Sequence, residues 1–306
     1  MKTGQAAIKI SSVGTGSTDG LASQLLCKLN AVMFASYYDY EYVEIPFDDS
    51  YIKGNSGHRF GPFSTALQNT IFTFPGFEKI NPLLVDYARI KTIKFTDVPK
   101  SVHGHADRRE YIKNSIESDN FNHDIFIING FANLFNDKPY LYNKISRGRQ
   151  LLVEPSFINK TRRLSDVFKI CVHIRRGDIM RHDIHSSRII PVKYFDKILS
   201  NVEKLLRERR VPFKVHLHSE DFGEPFDHDV HRFPEINPIN SFFDFFDADL
   251  IISSKSSHSN VPGLLCGNLM ICPADSWFAP LPHWIKADVD GEFDIERFRM
   301  QLANYL

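Results

Sequence analysis

The sequence has no long apolar run. No window approaches the ~18 apolar residues that a membrane-spanning helix requires, and Met1 to Ala7 carries no apolar signal region. Both absences lead to the expectation of a soluble, cytoplasmic protein without an export signal. Excess charge of either sign is also missing: 37 Lys and Arg balance 37 Asp and Glu. The overall field is therefore not one that holds a polyanion, and nucleic acid is not an expected partner. Cysteine is scarce. Cys27, Cys171, Cys266 and Cys272 show no Cys-x-x-Cys spacing, and three of them sit in apolar segments, which fits buried thiols in a reducing compartment. His103/His105 and His216/His218 alternate as on a strand or turn, without Cys or acidic partners at metal spacing along the chain, so no metal site is expected. Internal repeats and low-complexity tracts are absent as well.

What is present is a chain of 306 residues, longer than the typical domain of roughly 100 to 150, so one large or two medium domains are expected. Ala6 to Val13 reads as a first strand, followed by a glycine-rich loop from Gly14 to Gly20. Leu21, Leu25, Leu29, Val32 and Tyr37 then recur at helical spacing, which predicts a helix over 21–37. Asp124 to Asn129 reads as a buried strand, and Pro155 with Arg162-Arg163 punctuates the chain. Beyond Leu164 the alternation is regular. Strands are expected at 168–174, 213–217, 250–253 and 269–272, with helices at about 191–209, 242–247 and 260–266 and a closing helix at 292–305. The expected fold class is α/β, with a doubly wound, mostly parallel domain in the second half. The expected division is an α/β domain over 1–160, a ligand-binding domain over 161–290 and the closing helix over 291–306.

The most informative stretch is His173-Ile174-Arg175-Arg176-Gly177-Asp178, at the carboxyl end of the 168–174 strand. Ligands of open α/β sheets bind at that edge. An arginine fork matches the oxygens of a phosphate or carboxylate, and Gly177 lets the backbone turn closely around a ligand. An Arg–Asp pair that merely pins the loop would use the same residues. A second stretch, Ser253-Ser254-Lys255-Ser256-Ser257-His258-Ser259, lies between a strand and a helix whose first turn is read as holding Pro262. Serine hydroxyls and amides at a helix N-terminus make an anion site without net charge, although helix capping alone needs only one of them. Gly14-x-Gly16-x-x-Asp19-Gly20 departs from the dinucleotide fingerprint in its third glycine, and Asp39 and Glu41 read as part of an aromatic run attached to the first helix rather than as an acid closing a second strand. Candidates for proton transfer are Asp178, His182, Asp183, His185, Glu220 and Asp221.

These residues resemble a known family. His173-Ile174-Arg175-Arg176-Gly177-Asp178 is similar to the His-x-Arg-Arg-x-Asp signature of the α1,2-, α1,6- and protein O-fucosyltransferase superfamily. Asp19-Gly20-Leu21-Ala22-Ser23-Gln24-Leu25 is similar to its N-terminal loop and helix, and Ala248 to Ser259 resembles its C-terminal block. The resemblance implies a GT-B fold, two Rossmann-like domains facing across a cleft, and a metal-independent inverting transfer of L-fucose from GDP-fucose to a glycan hydroxyl. It implies no cofactor beyond the nucleotide-sugar donor. By position, Arg175 matches the arginine on the donor β-phosphate and His173 a residue near the nucleoside. Arg176 and Asp178 match residues that brace the loop, and Ser256 and Ser257 hydroxyl contacts to the diphosphate. Gly20 falls in the N-terminal loop, Glu220 and Asp221 near the nucleotide, and Asp183 where the α1,6 branch has a proposed acceptor base. Ser23 replaces the loop asparagine, and Ser241 stands where some members have an aspartate that reads guanine. Another nucleotide sugar, such as a UDP- or GDP-linked pentose or deoxyhexose, or a non-catalytic binding protein of the same fold, therefore remains an alternative. The lack of a membrane anchor implies a bacterial or viral enzyme or a trimmed catalytic domain.

Overall fold

The computed structural model describes residues 8–12, 21–44, 77–80, 87–119, 122–142, 167–180, 183–221, 225–234, 238–276 and 278–306. The chain divides into two compact units, Met1–Val153 and Glu154–Leu306.

The first unit holds β1 (Lys9–Ser11), α1 (Leu21–Tyr37), β2 (Glu41–Glu44), β3 (Glu78–Lys79), β4 (Ile90–Lys94), α2 (His105–Glu117) and β5 (Ile125–Asn129). The strands form one sheet in the order β3-β2-β1-β5-β4, and every pairing is parallel. The α1 stripe is wider than an amphipathic surface helix needs: Leu25, Leu26, Leu29, Val32 and Phe34 are buried, and so are Lys28 and Asn30. A helix buried on so many sides must pair its polar groups. Asn30 Nδ2 donates back to the Leu26 carbonyl at 2.8 Å, and Tyr142 Oη donates to Asn30 Oδ1 at 2.9 Å. Lys28 forms an ion pair with Glu44, each side chain fully shielded from solvent. Arg109 of α2 holds Asp137 through two bonds of 2.6 and 2.7 Å, and this pairing keeps the Asp137 carboxyl below its usual range. The expectation that Asp39 and Glu41 belong to the first helix is corrected here. Asp39 adopts φ of +59°, a left-handed conformation that ends the helical path, and Glu41 opens β2.

The second unit holds β6 (Phe168–Ile174), α3 (Val192–Glu208), β7 (Phe213–Ser219), β8 (His231–Pro234), α4 (Pro238–Phe246), β9 (Leu250–Ile252), α5 (Ser257–Leu265), β10 (Leu269–Pro273), β11 (Ile285–Ala287) and α6 (Ile295–Tyr305). Its sheet runs β11-β10-β9-β6-β7-β8, again parallel throughout. Counted within the unit, that is the doubly wound order in which the chain starts at the centre, winds to one edge, returns and winds to the other. The reversal falls between β6 and β9. Central strands of such a sheet are covered on both faces, and every residue of β6 is buried, Lys169 and His173 included. On α3, Val192, Phe195, Ile198, Leu199, Val202 and Leu206 fall at helical spacing on the buried side. The closing helix α6 buries Phe298 and Leu302, and Tyr305 Oη donates to Asp249 Oδ1 at 2.9 Å.

One helix departs from its expected start. α5 begins at Ser257 rather than Asn260, because Ser256 Oγ accepts the amide of His258 at 3.3 Å and caps the helix there. Pro262 is consequently an interior residue, and the helix forgoes the bond that its N–H would have made.

Candidate functional site at the strand reversal of the second unit

The carboxyl ends of β6 and β9 are adjacent at the reversal, with Val172 opposite Ile252. The chain leaving β6 is Arg175-Arg176-Gly177, and the chain leaving β9 is Ser253-Ser254-Lys255-Ser256, which leads into α5. Neighbouring strands lie about 4.8 Å apart, so the topology brings the two stretches read from the sequence to one sheet edge. His173 ties them together. Its Nδ1 lies 3.1 Å from Ser254 Oγ and 2.9 Å from Ser259 Oγ, and the residue is fully buried.

The two arginines differ in environment. Arg176 is buried, and its guanidinium donates to the carbonyls of Arg175 at 3.0 Å and Ile190 at 3.1 Å. It braces the loop from beneath. Arg175 keeps 13% of its side chain exposed and pairs with Glu220, which follows β7 and accepts the Arg176 amide at 2.8 Å through its other oxygen. The register of β6 on β7, with Ile174 opposite Ser219, puts Glu220 beside Arg175. Gly177 has φ of +68°, and a Cβ there would meet Glu220 side-chain carbons at 3.0 to 3.1 Å. Gly177→Ala is therefore expected to cost about 1–2 kcal/mol from the left-handed conformation alone and to push Glu220 away from Arg175. Urea unfolding of the variant checks the expectation, and an unchanged midpoint would refute it.

Ser256 caps α5 and is buried, while Ser257 is half-buried in its first turn. The first amides of a helix have no intrahelical acceptors and, with the helix dipole, favour an anion. Asp221 is exposed in a turn closed by Ser219, whose Oγ donates to the Asp221 carbonyl at 2.6 Å. Ser241 is buried on α4, with its Oγ 2.8 Å from His258 Nε2. Asp178 and Asp183 lie in the 3-10 helices Gly177–Met180 and Asp183–Arg188. Their side chains, and the whole of Gly20, lie outside the described residues. Lys255, which the sequence reading did not single out, donates to the Ser187 carbonyl at 2.9 Å and to Asp275 at 2.7 Å. It joins the serine loop to the 183–188 segment, a link no local pattern announces.

Two motif-like features are consumed by structure. Asp247-Ala248-Asp249 has the spacing of a metal box, but Asp247 pairs with Lys169 at 2.9 Å and Asp249 accepts the Lys169 amide at 2.8 Å. In the first unit Glu44 closes β2 where a dinucleotide-binding domain places its ribose acid, yet it is buried against Lys28 and accepts Tyr42 Oη at 2.8 Å.

A second polar cluster lies beneath the site, on the face of β6 and β7 covered by α4. Cys171 is opposite His216 and His173 opposite His218 in the strand register. Asp244 of α4 reaches into this face: His216 Nδ1 and His218 Nε2 are each 2.7 Å from Asp244 Oδ2, Cys171 Sγ is 3.4 Å from the same oxygen, and Lys169 Nζ is 2.5 Å from Oδ1. Burial pushes the Asp244 carboxyl up, but bonds from both histidines and Lys169 outweigh it and hold it well below the usual carboxylate range. Burial, reinforced by Asp244, pushes the Cys171 thiol well up. All four cysteines are buried.

Two parallel α/β units, the second doubly wound, are the architecture of the GT-B fold class. The chain is similar in fold to POFUT1, solved in complex with GDP, with a TM-score of 0.50 at 10% identity, over 89% of this chain and 100% of that one. A high-resolution structure of POFUT1 with GDP gives 0.47 at 11% identity over 87% and 96%, and the wall teichoic acid polymerase TagF gives 0.29 at 12% identity over 98% and 82%. No protein-family model and no curated protein matches the sequence. Among the described residues no helix is long and apolar enough to cross a membrane.

Proposed function

We propose that the chain is a metal-independent inverting glycosyltransferase that moves L-fucose from GDP-fucose to a glycan hydroxyl. The observation that carries the reading is the strand reversal, where Arg175 leaves β6 and the serine-capped α5 follows the adjacent strand β9. A nucleoside diphosphate departing from an anomeric carbon develops negative charge on its bridging oxygen, and fixed donors aimed at that oxygen lower the barrier. Arg175 and the first turn of α5, with Ser257, supply such donors. The acceptor hydroxyl attacks the anomeric carbon from the opposite side, its proton passing to Asp183. Arg176, Asp178 and His173 hold the loop and the cap that position these groups, and Glu220 and Asp221 border the nucleotide. The similarity of fold to POFUT1, solved in complex with GDP, supports a guanosine-diphosphate donor.

A second reading, another nucleotide sugar on the same fold, is favoured by Ser241. It stands where a guanine-reading aspartate is expected, and its hydroxyl is within bonding distance of His258. Thermal shift with GDP, UDP, GDP-fucose, UDP-xylose and NAD, without added metal, separates the readings. A ligand at about 100 times its Kd stabilises the folded state by ~2.7 kcal/mol. Selective stabilisation by GDP species supports the fucosyl reading, and stabilisation by UDP species replaces the donor. A response to NAD alone, or to none of the five, overturns the proposal.

A further inference from the structure

We infer that Cys171, His216, His218 and Asp244 form a metal site that takes a zinc ion, or a like borderline-soft divalent ion, as a structural pin between α4 and strands β6 and β7. The ligating atoms Sγ, Nδ1, Nε2 and a carboxylate oxygen all lie within 4.8 Å of one another. Zinc bond lengths of about 2.0–2.3 Å place tetrahedral ligands ~3.3–3.8 Å apart, so side-chain shifts of about 1 Å convert the present cluster into a coordination shell. The donor set of one sulfur, two imidazole nitrogens and one oxygen selects zinc over magnesium or calcium, which take oxygen ligands.

Three features distinguish the cluster from an ordinary buried polar network. The four ligands come from three elements whose positions are set by sheet register and by the packing of α4, with Cys171 directly opposite His216. Asp244 divides its oxygens: Oδ2 faces both histidines and the thiol, while Oδ1 receives Lys169 at 2.5 Å, as an outer partner orients a ligating carboxylate. Charge also balances. A divalent ion is neutralised by the Cys171 thiolate and Asp244, and Lys169 is neutralised by Asp247 at 2.9 Å. Binding moves the thiol proton to solvent. His216 keeps 12% of its side chain exposed and Asp244 19%, so the ion has an entry side, whereas Cys171 is wholly covered. The site lies on strand positions inside the sheet, before the loops that carry Arg175 and Ser256, so it supports the candidate site without entering the transfer chemistry. The inference does not depend on which sugar nucleotide, if any, the protein uses.

The test is cobalt substitution of the full chain, read by absorption, with metal content of the zinc-reconstituted protein measured after dialysis. The expected result is one ion per chain, a thiolate-to-cobalt charge-transfer band and the intense visible bands of a four-coordinate ion. Zinc should raise the melting temperature of the wild type. Cys171→Ser removes the charge-transfer band, and His216→Gln, which keeps a donor toward Asp244 at the part-exposed position, weakens binding by at least ~100-fold, beyond the usual loss for an outer partner. Arg175→Ala binds metal like the wild type, which separates this inference from the transferase reading. A wild-type spectrum without the thiolate band, retention of no ion, or a band that survives Cys171→Ser overturns the inference. The wild-type spectrum decides by itself should a variant fail to fold.

Discussion

Arg175→Ala is expected to lower sugar-transfer turnover by ~10²–10³-fold, the usual loss when one preorganised transition-state donor is removed. Position, not charge alone, sets the size of this loss. Arg175 is the first residue past β6, at the edge where a parallel sheet presents ligands, and its side chain is part-exposed, whereas the neighbouring Arg176 is spent on backbone carbonyls. The pair with Glu220 costs something on removal, between ~1 and ~3 kcal/mol, since its environment is intermediate between an exposed and a buried pair. Turnover must therefore be measured well below the unfolding midpoint of the variant. Arg175→Lys keeps the charge without the planar fork and should recover part of the rate. Should Arg175→Ala lose midpoint but keep its turnover, the residue only pins the loop, and the transition-state role is wrong.

The largest expected loss of stability lies in the first unit. Lys28→Met should destabilise the protein by ~3–5 kcal/mol, because it leaves the Glu44 carboxylate buried without its cation. Both side chains are shielded from solvent, and Tyr42 already donates to the other Glu44 oxygen at 2.8 Å. Burial pulls the Lys28 ammonium pKa down against the opposing attraction of Glu44, which is the mark of an ion held at a desolvation cost. The double change Lys28→Met with Glu44→Gln removes both charges, keeps an acceptor for Tyr42 and should recover most of the loss. Against a typical total of about 5–15 kcal/mol the single change is severe. Chemical denaturation measures it, and a drop under ~1 kcal/mol would show that Glu44 finds other compensation.

How much was legible in the sequence depended on whether an element buried a pattern or answered a neighbour. α1 and α3 announce themselves by apolar spacing and occupy 21–37 and 192–208, close to where that spacing put them. β6 reads as a strand because a central parallel strand needs an almost continuous apolar run. β2 was hidden by Tyr37-Tyr38-Asp39-Tyr40, which is equally compatible with a helix until the Asp39 backbone turns left-handed. β8 is a short edge strand exposed along its whole length, with no buried face to imprint a period. The start of α5 turned on which of several serines accepts an amide, a choice made by local geometry rather than composition.

The site divides in the same way. The bunching of His173, Arg175 and Arg176 at the end of an apolar strand, and of serines before a helix, is covalent sequence and by itself points to a candidate anion-binding edge. That these two bunches share one edge follows from the strand order, and so does the pairing of Arg175 with Glu220, 45 residues away. The cluster of Cys171, His216, His218 and Asp244 shows the division most sharply. Along the chain the two histidines have no ligand partner at metal spacing. Parallel register sets Cys171 against His216, and the packing of α4 delivers Asp244. Sequence determined which side chains can ligate, donate or neutralise, because that is a property of each residue. Tertiary structure decided which of them meet, because contacts between strands joined by long crossovers depend on register and sheet order, and neither is written in local periodicity.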